Sequence, residues 1–218
     1  MTSVAQARII KETIMFVKNI LGKEGTGHDW WHIERVLNSA RIIGTKEKAD
    51  MFVAELAVLL HDIGDYKIIN QPHDDYSIAE EYLKSKNVPT EYIDRIMFII
   101  KNMSFHISGN SKLPNASLEF CVVQDADRLD ALGAIGISRA LAFGGKKGRQ
   151  IFVPSGSKKI NMQNYASFEN ASIQHFYQKL LRLKDLMNTK TGQKIARKRH
   201  AYMEKFLNEF FAEWEGRI

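Results

Sequence analysis

Apolar residues recur at three- and four-residue spacing through most of this 218-residue chain, while the strict alternation of a half-buried strand is rare. That pattern predicts an all-α fold. Amphipathic helices are expected over Ala5 to Leu21, His28 to Gly44 and Lys48 to Ile63, the second carrying Ile33, Val36, Leu37, Ala40 and Ile43 on one stripe. Tyr76 to Lys86 and Tyr92 to Met103 follow, the latter opened by Pro89-Thr90-Glu91. Leu118 to Leu132, Asn170 to Met187 and Lys194 to Trp214 complete the set, with FGGKKGRQIFVPSGSKK read as a loop rich in Gly and Lys.

Nothing in the chain reads as a linker. Only 4 Pro are present, with no Gly/Ser tract, low-complexity run or internal repeat, so residues 1–218 are expected to form a single domain. At 44% hydrophobic residues the chain can bury a sizeable core. The longest apolar runs, such as Phe52 to Leu60 interrupted by Glu55, fall short of the roughly 18–20 residues that a membrane span needs. Charges in the opening MTSVAQARIIKE break the apolar core that a secretory signal requires, and the lone Cys121 fits a reducing compartment, so a cytoplasmic location is expected. A net charge of +6 suits an anionic partner, whether nucleotide or nucleic acid, or serves solubility alone.

The informative irregularity is His61-Asp62, which directly abuts the apolar run VAELAVLL. Each group would cost several kcal/mol if buried without a partner. A divalent metal satisfies both, since neutral imidazole and carboxylate are good ligands for first-row ions. His32 lies on the preceding predicted helix, and Asp127 lies in VVQDADRLDALGAIG, where carboxylates again interrupt a core-like stretch. Three helices can therefore bring His32, His61, Asp62 and Asp127 to one point, with positions left open for substrate in a six-coordinate shell. An isolated His-Asp pair at a helix end is more often a cap or an ion pair; the combination on successive helices favours the metal.

Written out as GHDWWHIERV, LLHDIGDYK and VVQDADRLDALGAIGISRA, this H…HD…D series resembles the HD-domain metal-dependent phosphohydrolases. The resemblance runs through most of the chain and implies a compact multi-helix HD-domain bundle with a C-terminal helical extension. It also implies that His32, His61, Asp62 and Asp127 are the four ligands of one divalent ion, with Mn expected first and Mg, Fe, Co, Ni or Zn as alternatives. FGGKKGR, IQHFYQKLLRLKDLMNT and FFAEWEG further resemble a bacterial subgroup that includes nucleotide pyrophosphohydrolases.

Asp65 stands four positions after His61 and matches an acidic position that related HD enzymes use as general acid or base. Its competing role is a cap, or a partner for Lys67. Lys67 and the loop residues Lys146, Lys147 and Arg149 are candidates for holding phosphates, with Gly144, Gly145 and Gly148 allowing close backbone approach. His106 faces the substrate cavity or packs beside Phe105. His28 and His73 have little to recommend them, and His175, on an apolar helical face, reads as a core histidine. Arg128 and Asp130 are expected to pair and orient the ligand helix.

The expected reaction is hydrolysis of a nucleotide, with pyrophosphate released from nucleoside or deoxynucleoside triphosphates. A phosphodiesterase or 5′-nucleotidase on the same metal site is the alternative enzyme. The non-enzyme alternative, a nucleic-acid-binding module, rests on Lys194, Arg197, Lys198 and Arg199, which a solvated face explains equally well because Ile195, Ala201, Tyr202, Phe206 and Leu207 share that helix. The expected partner is therefore a small nucleotide rather than a nucleic acid or a membrane, and a homodimer stays open.

Overall fold

The computed structural model describes residues 1–22, 29–64, 75–103, 113, 115–154 and 171–218. Their backbone divides into two compact units, Met1–Asp127 and Arg128–Ile218.

In the first unit, α1 (Ser3–Leu21), α2 (Trp30–Glu47), α3 (Met51–Leu60), α4 (Ser77–Ser85) and α5 (Thr90–Asn102) precede α6 (Leu118–Asp130), whose last turn crosses into the second. Helix α3 is buried from Phe52 to Leu60 at every position except Glu55. A helix apolar on nearly all sides has to be central, and α3 accordingly packs against α1, α2 and α5. Each fully buried Leu or Val there contributes roughly 1.5–3 kcal/mol. Glu55 escapes through an ion pair with Arg41, whose Nη2 lies 2.6 Å from its carboxylate.

Short polar side chains set where these helices begin. Asp29 caps α2 by accepting from the His32 amide at 2.8 Å, and Asp50 caps α3 by accepting from Phe52 and Val53. Ser117 caps α6 by accepting from the Phe120 amide at 3.1 Å. Each satisfies amides that the first helical turn leaves without partners.

Helix α6 is held within this unit along its first two turns. Phe120 meets the Phe98 ring at 6.2 Å, and the Gln124 side chain donates to the Met103 carbonyl at 3.2 Å. Glu119 accepts from the Asp50 amide at 3.0 Å and faces Arg95 at 3.4 Å.

The second unit holds α7 (Gly133–Lys146), α8 (Ser172–Gln178), a 3₁₀ segment (Leu180–Leu186) and α9 (Lys190–Trp214). Helix α9 packs on α7 and on the 3₁₀ segment, and α8 contacts both of these as well. Phe152 sits among Phe210, Phe211 and Trp214, with ring centroids 4.8–5.9 Å away. The described residues contain no β-strand beyond a single bridge between Gln150 and Ala171.

The all-α expectation holds, and three details of it change. The Gly- and Lys-rich loop begins late, because Phe143 to Lys146 form the end of α7. Glycine costs about 1 kcal/mol in a helix, but a Cβ at Gly144 would overlap the Ser172 hydroxyl, so packing demands the small residue there. Asn170 to Met187 is not one helix, since Lys179 turns out of helical geometry at φ −132°, ψ −57° and the chain continues as 3₁₀. Helix α9 starts at Lys190, four residues early, because the Thr189 hydroxyl accepts from the Gly192 amide at 2.9 Å.

Asp130 pairs with Arg139 at 2.6 Å, and Arg128 donates to the Leu186 carbonyl at 2.6 Å. One predicted surrounding of the charged residues changes. Arg199 is not on a solvated face. It donates to the Leu129 carbonyl, its stem covers Gly133, and burial pulls its pKa down. Ala201 and Tyr202 are exposed instead, and the buried stripe of α9 runs through Ala196, His200, Met203 and Leu207.

Candidate metal centre

Three elements of the first unit converge on one point. His32 lies in the first turn of α2, whose start the Asp29 cap fixes, and is buried. His61 is the C-cap of α3, and Asp62 follows it at the end of this almost wholly apolar helix. Asp127 lies on α6 and is the most accessible of the four, its side chain 36% exposed against 2% for His32.

The His32 Nε2 atom lies 3.5 Å from Asp127 Oδ1 and 3.6 Å from Asp62 Oδ2. The other oxygen of Asp62 is 3.3 Å from His61 Nε2, so one carboxylate spans the two rings. The ring centroids are 5.5 Å apart at 66°. His32, His61 and Asp127 each place a ligand atom within 4.8 Å of the other two.

These separations test whether a cation fits. An N–H···O bond would close to about 2.7–3.2 Å, shorter than any of the three. Two donors about 2.1 Å from one ion lie about 3.0 Å apart at a right angle and about 3.4 Å apart at the tetrahedral angle. The nitrogen–oxygen spacings of 3.3–3.6 Å match neighbouring ligands of a shared ion better than hydrogen-bonded pairs. The His61 ring adds a second indication. Its Nδ1 is 2.7 Å from the Val58 carbonyl, which can only accept, so Nδ1 carries the proton and Nε2 is left to ligate. The donor set of two imidazoles and two carboxylates suits a divalent first-row metal.

His32, His61 and Asp127 form one group able to share an ion, and Asp62, outside that group of three, lies 3.6 Å from the His32 ring nitrogen and 3.3 Å from that of His61. Asp65, Lys67 and His106, with His28 and His73, lie outside the described residues. Lys146, Lys147 and Arg149 belong to the second unit, at the carbonyl end of α7 and just after it, where positive charge offsets the helix dipole. Lys147 and Arg149 both lie over the Phe143 ring, at 5.8 and 5.6 Å. His175 is half-buried, and burial together with Lys179 and Arg149 holds its pKa below the ordinary value. Sequence reasoning missed Asp29, whose signal was an Asp immediately before a predicted apolar stripe, and Val58, which carries no side-chain signal because its carbonyl does the work.

The HD domain family matches residues 30–132 of this chain, a span containing all four of these residues. The chain belongs to that family. It is 40% identical over 201 residues to the uncharacterized protein YpgQ of Bacillus subtilis, covering 92% of this chain and 91% of that protein. A crystal structure described as an HD-superfamily hydrolase from Bacillus thuringiensis is 40% identical and superposes with a TM-score of 0.77, covering 96% of this chain and 98% of that one. The structure of Bacillus subtilis YpgQ in complex with ADP superposes with a TM-score of 0.78 at 35% identity, covering 96% of both chains. Fold, family and the His/Asp cluster together define an HD-superfamily hydrolase with a divalent-metal centre. Among the described residues, no helix is long and apolar enough to cross a membrane.

Proposed function

We propose that this protein hydrolyses nucleotides, releasing pyrophosphate from nucleoside or deoxynucleoside triphosphates. The observation that carries the reading is the convergence of His32, His61, Asp62 and Asp127, with imidazole nitrogens 3.3–3.6 Å from carboxylate oxygens. A divalent ion bound there supplies positive charge to phosphate oxygens and makes a water molecule more acidic. The nucleotide half of the proposal draws support from YpgQ, which was crystallised with ADP.

The residues divide the work by chemistry. His61 is oriented by Val58 and Asp62 reaches both rings, so the donor set is preorganised, whereas the partly exposed Asp127 leaves that edge open to substrate. Asp65, three residues beyond Asp62, is assigned to guide the attacking water or to protonate the leaving oxygen. Lys67 and His106 are assigned to the phosphates, and Lys146, Lys147 and Arg149 remain further candidates for that role. Mn²⁺ is the first ion to test, because the two carboxylates supply the oxygen donors that suit it.

The deciding experiment is a screen of nucleoside and deoxynucleoside triphosphates, diphosphates and monophosphates against Mn²⁺, Mg²⁺, Co²⁺, Ni²⁺, Fe²⁺ and Zn²⁺, with ³¹P NMR of the products. Pyrophosphate and a monophosphate as first products are expected. Orthophosphate appearing first would replace the pyrophosphohydrolase reading with a nucleotidase.

A further inference from the structure

The second unit carries a polar cavity lined by residues to which none of the roles above is assigned. Its volume is about 360 Å³, and Lys184, Asp185, Met187, Gln193 and Arg197 line it. Lys184 and Asp185 come from the 3₁₀ segment, and Gln193 and Arg197, one helical turn apart, come from α9.

The charges in this lining are unbalanced. Two cations face one carboxylate. The Lys184 Nζ has no carboxylate within 4 Å among the described residues, and its short contact, at 2.9 Å, is with the Nε2 atom of the buried His200. Glu204 lies 3.2 Å from that same nitrogen, on the imidazole rather than on the lysine. Arg197 is exposed and makes neither an ion pair nor a hydrogen bond among the described residues. The Gln193 amide donates to the Met187 carbonyl at 3.2 Å, which holds its side chain at the cavity.

The first turn of α9 contains Lys190 and no acidic residue. A helix start carries partial positive charge of its own, so nothing in that turn offsets the cations, and Asp185 is the one carboxylate of the lining. Arginine presents a fork that binds phosphate oxygens in pairs, and lysine acts as a point charge beside it. The cavity is an open cleft whose volume falls in the range of small-molecule sites.

We infer that this cavity binds the phosphates of a small phosphorylated molecule, with Lys184 and Arg197 as the charged contacts and Gln193 as a neutral one. The inference rests on residues of the second unit alone and does not require that the protein hydrolyse nucleotides.

The test uses the full chain stripped of divalent ions with EDTA and titrated with inorganic pyrophosphate, followed by calorimetry and by the NMR shifts of the Gln193 side-chain amide and the Arg197 Nε–H. Saturable binding that moves both signals is expected, with affinity falling tenfold or more in the Lys184→Gln/Arg197→Gln variant. Arg197→Gln alone, at an exposed position, reads out the same loss in part should the double variant fail to fold. Lys46→Gln/Lys205→Gln removes the same charge from exposed sites elsewhere and should bind as the parent does. Absence of binding, unmoved Gln193 and Arg197 signals, full affinity in Arg197→Gln, or an equal loss in the Lys46/Lys205 control would each overturn the inference.

Discussion

The Nδ1 atom of His61 lies 2.7 Å from the carbonyl oxygen of Val58, three residues earlier on the same helix. The geometry assigns the proton to Nδ1 and turns Nε2 toward Asp62, 3.3 Å away. A backbone carbonyl at a helix end, left without an amide partner because α3 stops at Leu60, thus sets the tautomer of the ring next to it. The consequence is a metal-binding nitrogen whose direction depends on where the helix ends.

If the four side chains act as one ligand set, removing either central member should empty the site. His61→Ala and Asp62→Ala are each expected to lose bound metal, measured by elemental analysis after dialysis, and to lose hydrolysis down to background, while far-UV circular dichroism stays helical. Full metal content in His61→Ala would show that the cluster does not hold the ion.

Asp65 is assigned a proton-transfer role and not a ligand role, and the two separate experimentally. Asp65→Asn should keep its metal and lose rate by about 10²- to 10⁴-fold, the contribution of a positioned acid or base. Loss of metal along with rate would make Asp65 a ligand or a support for one.

Asp29 joins the stability of α2 to the placement of His32, because its carboxylate caps the very amide that His32 carries, at 2.8 Å. Asp29→Ala should cost about 0.5–2 kcal/mol in urea unfolding and should also weaken metal binding measured by calorimetry. Asp29→Ser, which restores an oxygen acceptor at the cap, should recover most of both. A variant that loses stability and keeps its metal affinity would uncouple the cap from the site.

Glu119 predicts an acid-dependent loss of stability. Burial alone would raise its pKa, but the Asp50 amide and Arg95 favour the charged form more strongly, so the folded value lies below the ordinary 4.5. The unfolded chain therefore binds the proton more readily. This stabilisation is fully present above about pH 4.5 and is lost as pH falls through the lower, folded value. The difference in unfolding free energy between the parent and Glu119→Gln should be greatest near neutral pH and should shrink as the pH is taken below the ordinary carboxylate range. A difference that does not change with pH would assign Glu119 a packing role only.

Much of this architecture was legible before any coordinates. The recurrence of apolar residues every three or four positions depends only on which side of a helix is buried, so the sequence alone was enough to predict α1 to α6 and α9, apart from their exact ends. His61 and Asp62 were equally visible, because ionisable groups abutting VAELAVLL need a partner whatever the fold. Other features depended on residues far apart in the chain. Helix α7 continues through Gly144 and Gly145 although glycine disfavours helix, because Gly144 is pressed against Ser172 from a distant segment. Arg199 looks like one of four surface cations by local pattern, yet the Leu129 carbonyl, 70 positions away, draws it inward. At the site, composition could nominate two histidines and two aspartates. Only the packing of α2, α3 and α6 decided that Asp62 spans both rings while Asp127 stays open to solvent, because local periodicity specifies which face of a helix is buried and not which residue of another helix it meets.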